Sequence, residues 1–351
     1  MSNILYGVNG EGAGHSTRAK EVIRHLVQQG HRVHVVSFDR GLRNLSDEFE
    51  VTEIYGLRFA YVENQVRYGR TVLKNLLSAR GAARSLRQLE QLAEQWTIDA
   101  VVTDFEPLSA RVAHRLKLPL VSIDNQHCLT HARVEYPKRY RKEARAARLV
   151  TRFMVPRADL YCITSFLDAP LRKPGAAIVP PILRGEVLRA APSEGEHILV
   201  YLTAPSREIA ELLRSVRQRF LCYGFEREGG EGNCVFRRPS LGTFLADLAS
   251  CRGIVANSGF SLISEALHLG KPYLAVPVKK QFEQIFNAYW IQKKGFGAYW
   301  DEVNKERVEA FLFNLDSYRE ALKSHPKRDN GELFGRLDAF LGRERQAAGE
   351  G

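Results

Sequence analysis

The chain has 351 residues, 44% of them hydrophobic and 26% charged, the balance of a globular protein of about two domains. Its formal charge is +11, and residues 1–182 hold 27 Lys and Arg against 18 Asp and Glu, so the first half carries most of the excess and points to an anionic partner or to solubility. No run reaches the roughly 18 apolar residues of a membrane span, and five scattered cysteines without a Cys-x-x-Cys pair argue against a disulfide framework or a zinc site.

The N-terminus, MSNILYGVNG, lacks the basic flank and long apolar core of a signal peptide, so a reduced, cytoplasmic protein is expected. NILYGVN (3–9) reads as a buried strand. A helix capped by Ser16 is expected to run to Gln29 and stop at Gly30. HRVHVVSF (31–38) and VTEIYG (51–56) read as strands, and an Arg/Leu-patterned helix spans about 68–95. IDAVVTD (98–104), a helix from Leu108 to Leu116, and LPLVSID (118–124) continue the alternation. A basic helical stretch precedes two further strands, ADLYCIT (158–164) and AAIVPPI (176–182). LRGEVLRAAPSEGE is loop-like, and residues 184–196 are taken as a linker. A second alternating set follows, with strands at 197–204, 219–225, 233–239, 252–257 and 272–278 and helices at 206–218, 241–250, 261–269 and 281–294. Strand–helix alternation of this kind predicts α/β architecture, two Rossmann-like parallel sheets wrapped by helices. The expected domains are 1–183 and 197–330, followed by a C-terminal helix and frayed tail at 331–351.

Two glycine-rich turns fall at strand ends, where open parallel sheets bind ligands. The first, GEGAGHSTR, places Gly10, Gly12 and Gly14 ahead of His15. Gly10-x-Gly12 with Asp39 fits the start of a dinucleotide fingerprint, but His15 stands where its third glycine belongs. The positive end of a helix disfavours imidazolium, so His15 there is a candidate proton acceptor. A capped surface histidine is the bland alternative. An orienting carboxylate is expected behind it. Asp104 at the end of IDAVVTD leads, Glu106 in the same TDFEP segment is the fallback, and the Asp104-x-Glu106 pair could alternatively bind a metal. Asp124, Gln126 and His127 end the next strand and are candidates for an acceptor pocket, with loop packing as the alternative. The second turn reads NSGFSLISEALHLGKPYLAVPVKKQFEQIFNAYW (257–290). Backbone N–H groups at its helix start would cradle a diphosphate without metal. Glu265 could accept from a ribose diol, and Glu283 with Gln284 could bind a hydroxyl-rich ligand.

These two motifs together resemble the nucleotide-sugar glycosyltransferases of the GT-B fold, two Rossmann-like domains facing a cleft. Family 28, with the MurG-like lipid-linked N-acetylglucosamine transferases and the monogalactosyldiacylglycerol synthases, is most similar, and the UDP-glycosyltransferases are more distant. The resemblance implies an inverting, metal-independent transfer from a UDP-sugar, with no cofactor. It places His15 in the family's acceptor-side glycine loop with Gly12 and Gly14; with the strand-end reading, His15 is the expected catalytic base with Asp104, and Glu106, Asp124 and Gln126 lie on the acceptor side. Asn257, Ser258, Gly259, Phe260 and Ser261 would face the donor diphosphate, Glu265 the ribose, and Glu283 and Gln284 the sugar. Main chain near Phe236 and Arg237 would hold the uracil. Asn257 departs from the phosphate-binding histidine of plant enzymes, and Leu262 from the threonine of MurG-like ones.

PKRYRKEARAARLVTRF (137–153) reads as a basic amphipathic helix, with Tyr140, Ala144, Ala147, Val150 and Met154 on one face and Lys138, Arg141, Lys142, Arg145, Arg148 and Arg152 on the other. It could lie on an anionic membrane surface, making the protein peripheral on the inner face, or pack its apolar face and leave the arginines solvated. The acceptor is then expected to be a small molecule or lipid-linked. No nucleic-acid module or aromatic interleaving is visible, so nucleic acid is not the expected partner. Aromatic and basic residues at 57–75 suggest an acceptor mouth. Competing readings are a UDP-GlcNAc 2-epimerase-like enzyme, a non-catalytic nucleotide-sugar-binding protein and an NAD(P) enzyme.

Overall fold

A computed structural model describes residues 1–56, 61–62, 65–66, 79–203, 205, 207–238 and 240–349. The chain divides into two compact units. Unit 1 comprises Met1–Glu135, Arg139–Arg184 and Asp329–Gly351, and unit 2 comprises Tyr136–Lys138 and Gly185–Arg328.

Unit 1 is built on β1 (Asn3–Val8), β2 (Arg32–Ser37), β3 (Val51–Glu53), a small antiparallel hairpin β4 (Tyr61–Val62) and β5 (Gln65–Val66), β6 (Ala100–Asp104), β7 (Leu120–Asp124), β8 (Leu160–Thr164) and β9 (Ala176–Val179). Seven of these form one sheet in the order β3-β2-β1-β6-β7-β8-β9, parallel throughout. The central strands are buried on both faces, which is why their apolar residues fall at consecutive positions rather than alternating. Helices α1 (Ala13–Gln28), α2 (Asp39–Ser46), α3 (Ala79–Gln95), α4 (Pro107–Leu116), α5 (Cys128–His131) and α6 (Arg141–Met154) accompany them. α1 buries Ala19, Val22, Ile23 and Leu26, one helical stripe, against Ile4, Tyr6 and Val8 of β1.

Unit 2 contains α7 (Gly185–Arg189), β10 (His197–Tyr201), α8 (Arg207–Arg214), β11 (Arg219–Tyr223), β12 (Gly229–Glu231), β13 (Cys234–Arg237), α9 (Leu241–Ser250), β14 (Gly253–Ala256), α10 (Phe260–His268), β15 (Tyr273–Ala275), α11 (Phe282–Lys293), β16 (Gly297–Tyr299), α12 (Lys305–Phe313) and α13 (Leu315–Lys323). Its sheet runs β12-β13-β11-β10-β14-β15-β16, and β12 pairs antiparallel with β13. The apolar core gathers Ile198, Val200, Phe220 and Val255 with Phe311 and Leu315 of the last two helices.

The last helix, α14 (Gly331–Gly349), returns to unit 1. Asn330 fastens the return: its Oδ1 accepts from Leu183 N–H (2.9 Å) and its Nδ2 donates to Leu183 O (2.8 Å). His25 of α1 then stacks on Phe334 at 4.1 Å and meets Asp338 at 2.9 Å.

Several expectations change. α1 begins at Ala13 with Gly12 at its N-cap, so Ser16 lies inside the helix, where its Oγ donates to Ala13 O. The segment expected as a linker contains α7. β12 and β16 were not read from sequence; each is three residues long, too short for alternation to show. The C-terminal segment is helical to Gly349 instead of fraying from Arg343. The start of the long helix expected from residue 68, and nearly all of the aromatic and basic segment at 57–75, lie outside the described residues.

Candidate active site

Register builds the site in unit 1. β1 and β6 are neighbours, and Val8 pairs with Asp104. The glycine loop that leaves β1 therefore starts beside the end of β6. Asn9 fixes the turn: its Nδ2 donates to Phe105 O (3.1 Å) and its Oδ1 accepts from Glu11 N–H (2.8 Å). A Cβ on Gly10 would lie 1.9 Å from Phe38 O, and Gly12 has φ +82°, so both positions require glycine. α1 then starts at once and places His15 in its first turn.

There His15 Nδ1 lies 2.6 Å from Asp104 Oδ1. The pairing that sequence left open between Asp104 and Glu106 is thus Asp104. Arg18, one turn further along α1, completes the group. Its Nε and Nη2 donate to Asp104 Oδ2 (2.7 Å) and Oδ1 (2.5 Å), and its Nη1 donates to Asn125 Oδ1 (3.2 Å). Asp104 is fully buried and Arg18 nearly so. Burial alone would lower the Arg18 pKa, but the Asp104 carboxylate overcomes it and leaves the guanidinium above its ordinary value. A carboxylate cannot donate, so the short Asp104 contact puts the proton on His15 Nδ1 and the lone pair on Nε2. Arg18 Nη2, 2.9 Å from the same Nδ1, is then a close cation rather than a donor to it. The His15 side chain keeps 14% exposure. Phe105 stacks parallel to its ring at 6.2 Å and holds a left-handed backbone, φ +54°, next to Asp104. Such strain in a non-glycine residue costs about 1–3 kcal/mol and persists where surroundings impose it.

A second His–Asp pair ends the neighbouring strand, and it differs in one respect. Asp124 accepts from His127 N–H (2.8 Å), His127 Nδ1 (2.7 Å) and Ser122 Oγ (2.7 Å). The other His127 nitrogen faces Val155 O at 3.2 Å. Burial raises the Asp124 pKa, but His127 and these donors outweigh it and hold it well below the usual carboxylate range. Both side chains are enclosed, with 1–2% exposure. This pair locks the β7 turn and offers no free nitrogen. Asp124, expected on the acceptor side, is buried here. Glu106 is buried too: its carboxylate caps α4, accepting from Leu108 N–H (2.9 Å) and Ser109 N–H (2.7 Å). Burial raises its pKa, against those bonds. The Asp104-x-Glu106 pair is therefore split between two separate tasks. Gln126 is half-buried beside this turn, Gly12 is exposed, and Gly14 is half-buried within α1.

Unit 2 gathers the second set. α10 starts at Gly259 without a side-chain cap and without an acidic residue in its first turn. A Cβ on Gly259 would meet nothing within 4 Å. The space beside Gly259 is thus open, and Phe260 and Ser261 in the first turn are half-buried. The flanking side chains brace the turn. Asn257 Oδ1 accepts from Thr203 N–H (2.6 Å), Asn257 Nδ2 donates to Val276 O (2.8 Å), and Asn257 O accepts from Tyr273 Oη (2.7 Å). That one asparagine ties together the ends of β10, β14 and β15, so its side chain is not available to a phosphate. Ser258 is fully buried, its Oγ has no partner among the described residues, and its carbonyl accepts from Asn287 Nδ2 at 3.0 Å. Gln284 Oε1 accepts from Val278 N–H (2.9 Å), and its NH2 has no partner among the described residues. Glu265 is buried in α10 at 7% exposure, and Glu283 is half-buried in the first turn of α11. Phe236 belongs to the core, where Arg227 stacks over its ring at 3.7 Å, so only its backbone could meet a base. Arg237 Nη1 donates to Asp247 Oδ2 at 2.5 Å, and that oxygen also accepts from Tyr223 Oη (2.6 Å).

The family model for glycosyl transferase family 1 matches residues 2–316. The chain belongs to that family. It is a glycosyltransferase, built from the α/β sheets of the GT-B fold. No curated protein sequence matches it. Solved structures similar to this glycosyltransferase include the calicheamicin glycosyltransferase CalG4, 16% identical with a TM-score of 0.69 over 98% of this chain and 99% of that one. LpCGTa in complex with UDP is 18% identical, TM-score 0.69, over 98% and 99%. Phytolacca americana UGT2, complexed with UDP-2fluoro-glucose and pterostilbene, is 15% identical, TM-score 0.68, over 96% and 98%.

Arg18 is the site residue that sequence reasoning missed. The signal was present as His15-x-x-Arg18, an i, i+3 pair on one helix face, but it is visible only if α1 starts before His15.

Proposed function

We propose that this glycosyltransferase moves a sugar from a UDP-sugar to an acceptor hydroxyl or amine, with inversion at the anomeric carbon and no metal requirement. The observation that carries the reading is His15, held by Asp104 through Nδ1 and left with an unshared pair on Nε2. Nε2 takes the acceptor's proton as the acceptor atom bonds to the anomeric carbon. The bond from that carbon to the diphosphate breaks, and UDP leaves with the electron pair. Asp104 stabilises the imidazolium that forms, a role a neutral partner could not fill. The open α10 start supplies backbone N–H groups and a positive helix end to the departing diphosphate. Glu265 would hold the ribose, Glu283 and the Gln284 NH2 the sugar hydroxyls, and backbone near Phe236 and Arg237 the uracil. Gly12, Gly14 and Gln126 would border the acceptor, either a small molecule or a lipid-linked one. The UDP and UDP-2fluoro-glucose complexes of similar structures support the donor class.

A panel of UDP, UDP-sugars and NAD(P) tests it by thermal shift. A ligand at 100 times its Kd adds about 2.7 kcal/mol. UDP should stabilise and NAD(P) should not; the reverse would sink the transferase reading. UDP release that requires an added acceptor separates transfer from epimerisation, and no turnover in any acceptor pool would favour a binding protein.

The basic helix adds a second proposal, peripheral attachment to an anionic membrane surface. α6 buries Ala144, Thr151 and Met154 but presents Leu149 (69% exposed) and Phe153 (59%) one turn apart. Lys142, Arg145 and Arg152 share that exposed stripe, whereas Arg148 turns back to donate to Leu129 O (3.0 Å). No helix among the described residues is long and apolar enough to cross a membrane. Leu149→Ser with Phe153→Ser should abolish co-sedimentation with anionic vesicles. Unchanged sedimentation would mean the pair is merely exposed.

A further inference from the structure

The glycine loop occupies the ends of β1 and β6 where those strands finish. A cavity of about 800 Å³ opens among residues of other connections of the same sheet. Its walls come from the residues that enter β7, β8 and β9 and from the end of α4. It is within the range of small-molecule sites, and its chemistry is one-sided. Lys117, Arg157 and Lys173 line it, joined by His114 and His131, with Asp159 the one carboxylate in the lining.

Three features make this more than a stretch of basic surface. First, Lys117, Arg157 and Lys173 come from three separate connections, and none is ion-paired among the described residues. Second, Asp159 is partly spent, since its Oδ2 accepts from Leu120 N–H at 2.8 Å. Third, the floor is built. His131 is 8% exposed, and its ring lies 4.2 Å from that of Tyr161, also a lining residue. His131 Nδ1 meets Thr130 Oγ1 at 2.9 Å, and His114 Nε2 donates to Arg157 O at 2.9 Å, which ties the α4 wall to the entry of β8. Burial, His127 and Lys173 together push His131 down to about 4, so at neutral pH the floor is an uncharged imidazole while the rim is cationic.

We propose that this cavity binds a phosphate-bearing ligand, with Arg157, Lys117 and Lys173 on the phosphate oxygens and the His131–Tyr161 floor beneath its organic part. Guanidinium and ammonium groups converging on one space match phosphate better than a single carboxylate, because a phosphate offers three oxygens to separate donors. The cavity's lining shares no residue with the His15–Asp104–Arg18 group. The phosphate could be free in solution or carried on a lipid headgroup.

The test uses the whole chain and two probes. Isothermal titration with inorganic pyrophosphate reads the free form. Co-sedimentation with phosphatidylcholine vesicles, with and without phosphatidic acid, reads the lipid form. Arg157→Glu and Lys173→Glu should each weaken the bound probe at least tenfold, whereas Arg207→Glu, a well-exposed arginine of unit 2, should stay within twofold. Arg157→Gln and Lys173→Gln serve if a charge reversal lowers the melting temperature. Saturable pyrophosphate binding lost in both variants supports a soluble ligand. Vesicle binding that needs phosphatidic acid and is lost in the same variants supports a headgroup. Pyrophosphate binding that survives both reversals belongs elsewhere, such as the α10 start, and overturns the proposal. So does failure of both probes.

Discussion

Asp104→Asn is the sharpest perturbation of the proposed catalytic group, because Asp104 holds both His15, the proposed base, and a buried cation. Asparagine keeps the volume and can still accept from His15 through its oxygen. Its NH2 must then face Arg18 Nε, which donates to that position at 2.7 Å. Two donors would oppose each other, and Arg18, 6% exposed, would keep its charge without a counter-ion. Two charge-assisted hydrogen bonds are at stake, roughly 1.5–3 kcal/mol each, and stranding one partner of a buried pair costs about 3–5 kcal/mol. For a unit of this size a loss of about 4 kcal/mol lowers Tm by roughly 8–16 °C. Chemical denaturation and UDP release measure the two consequences separately. In the double variant Asp104→Asn with Arg18→Met the stranded charge is gone, so roughly half or more of the lost stability should return. Transfer should not return, since the imidazolium still lacks its carboxylate; the expected fall in kcat is about 10³- to 10⁴-fold in both. Stability within about 1 kcal/mol of the parent in Asp104→Asn, or strict additivity in the double variant, would refute the coupling.

His15→Ala should reduce transfer by about 10²- to 10⁴-fold while leaving UDP affinity within a few-fold, as read by titration; equal loss of both would make His15 structural. Glu265→Ala should do the reverse, weakening UDP-sugar binding more than it slows turnover at saturation. Glu106→Ala removes the acceptor of two buried N–H groups and should cost about 1–2 kcal/mol with kcat kept, whereas loss of kcat in a folded variant would return Glu106 to the chemistry. The pH dependence of stability has a defined sign. His131 has a folded value of about 4 against an ordinary value near 6.5, so the unfolded chain binds the proton more readily and stability falls as pH drops from about 6.5 to 4. His131→Asn should flatten part of that slope. Asp124, depressed by His127, stabilises above the ordinary carboxylate range and that contribution fades only at lower pH.

The pairing of His15 with Asp104 was legible because Asp104 ends one strand, the His15 loop leaves its parallel neighbour, and neighbouring parallel strands bring their ends together. Helix starts were less legible. Ser16 has the chemistry of an N-cap, but the preceding glycines allow the helix to begin earlier, and only that shift brings Arg18 into the group. Glu106 precedes Pro107, which sits at the first helical position of α4; the capping signal was there, but a carboxylate two residues from Asp104 invited a catalytic reading instead. Asn257 and Gln284 were read as ligand contacts by type and place. Both have amide groups that satisfy loop backbone, and nothing in a sequence separates that use from ligand binding.

Those two amides bear on how the donor half works. A phosphate contact by a long side chain needs that side chain free, whereas Asn257 and the Gln284 oxygen are committed to holding the ends of β10, β14 and β15 and the loop before α11. What remains at the turn is backbone: a helix start with no side-chain cap and open space beside Gly259. A rigid array of this kind is preorganised for an anion, since no side chain must be ordered when charge arrives. Its selectivity between nucleotides must then come from neighbouring groups rather than from the phosphate turn. The acceptor half is organised in the opposite way. It holds two carboxylates at adjacent strand ends, encloses one with His127, and pairs the other with the partly exposed His15, whose Nε2 is the atom on which the proposed chemistry converges.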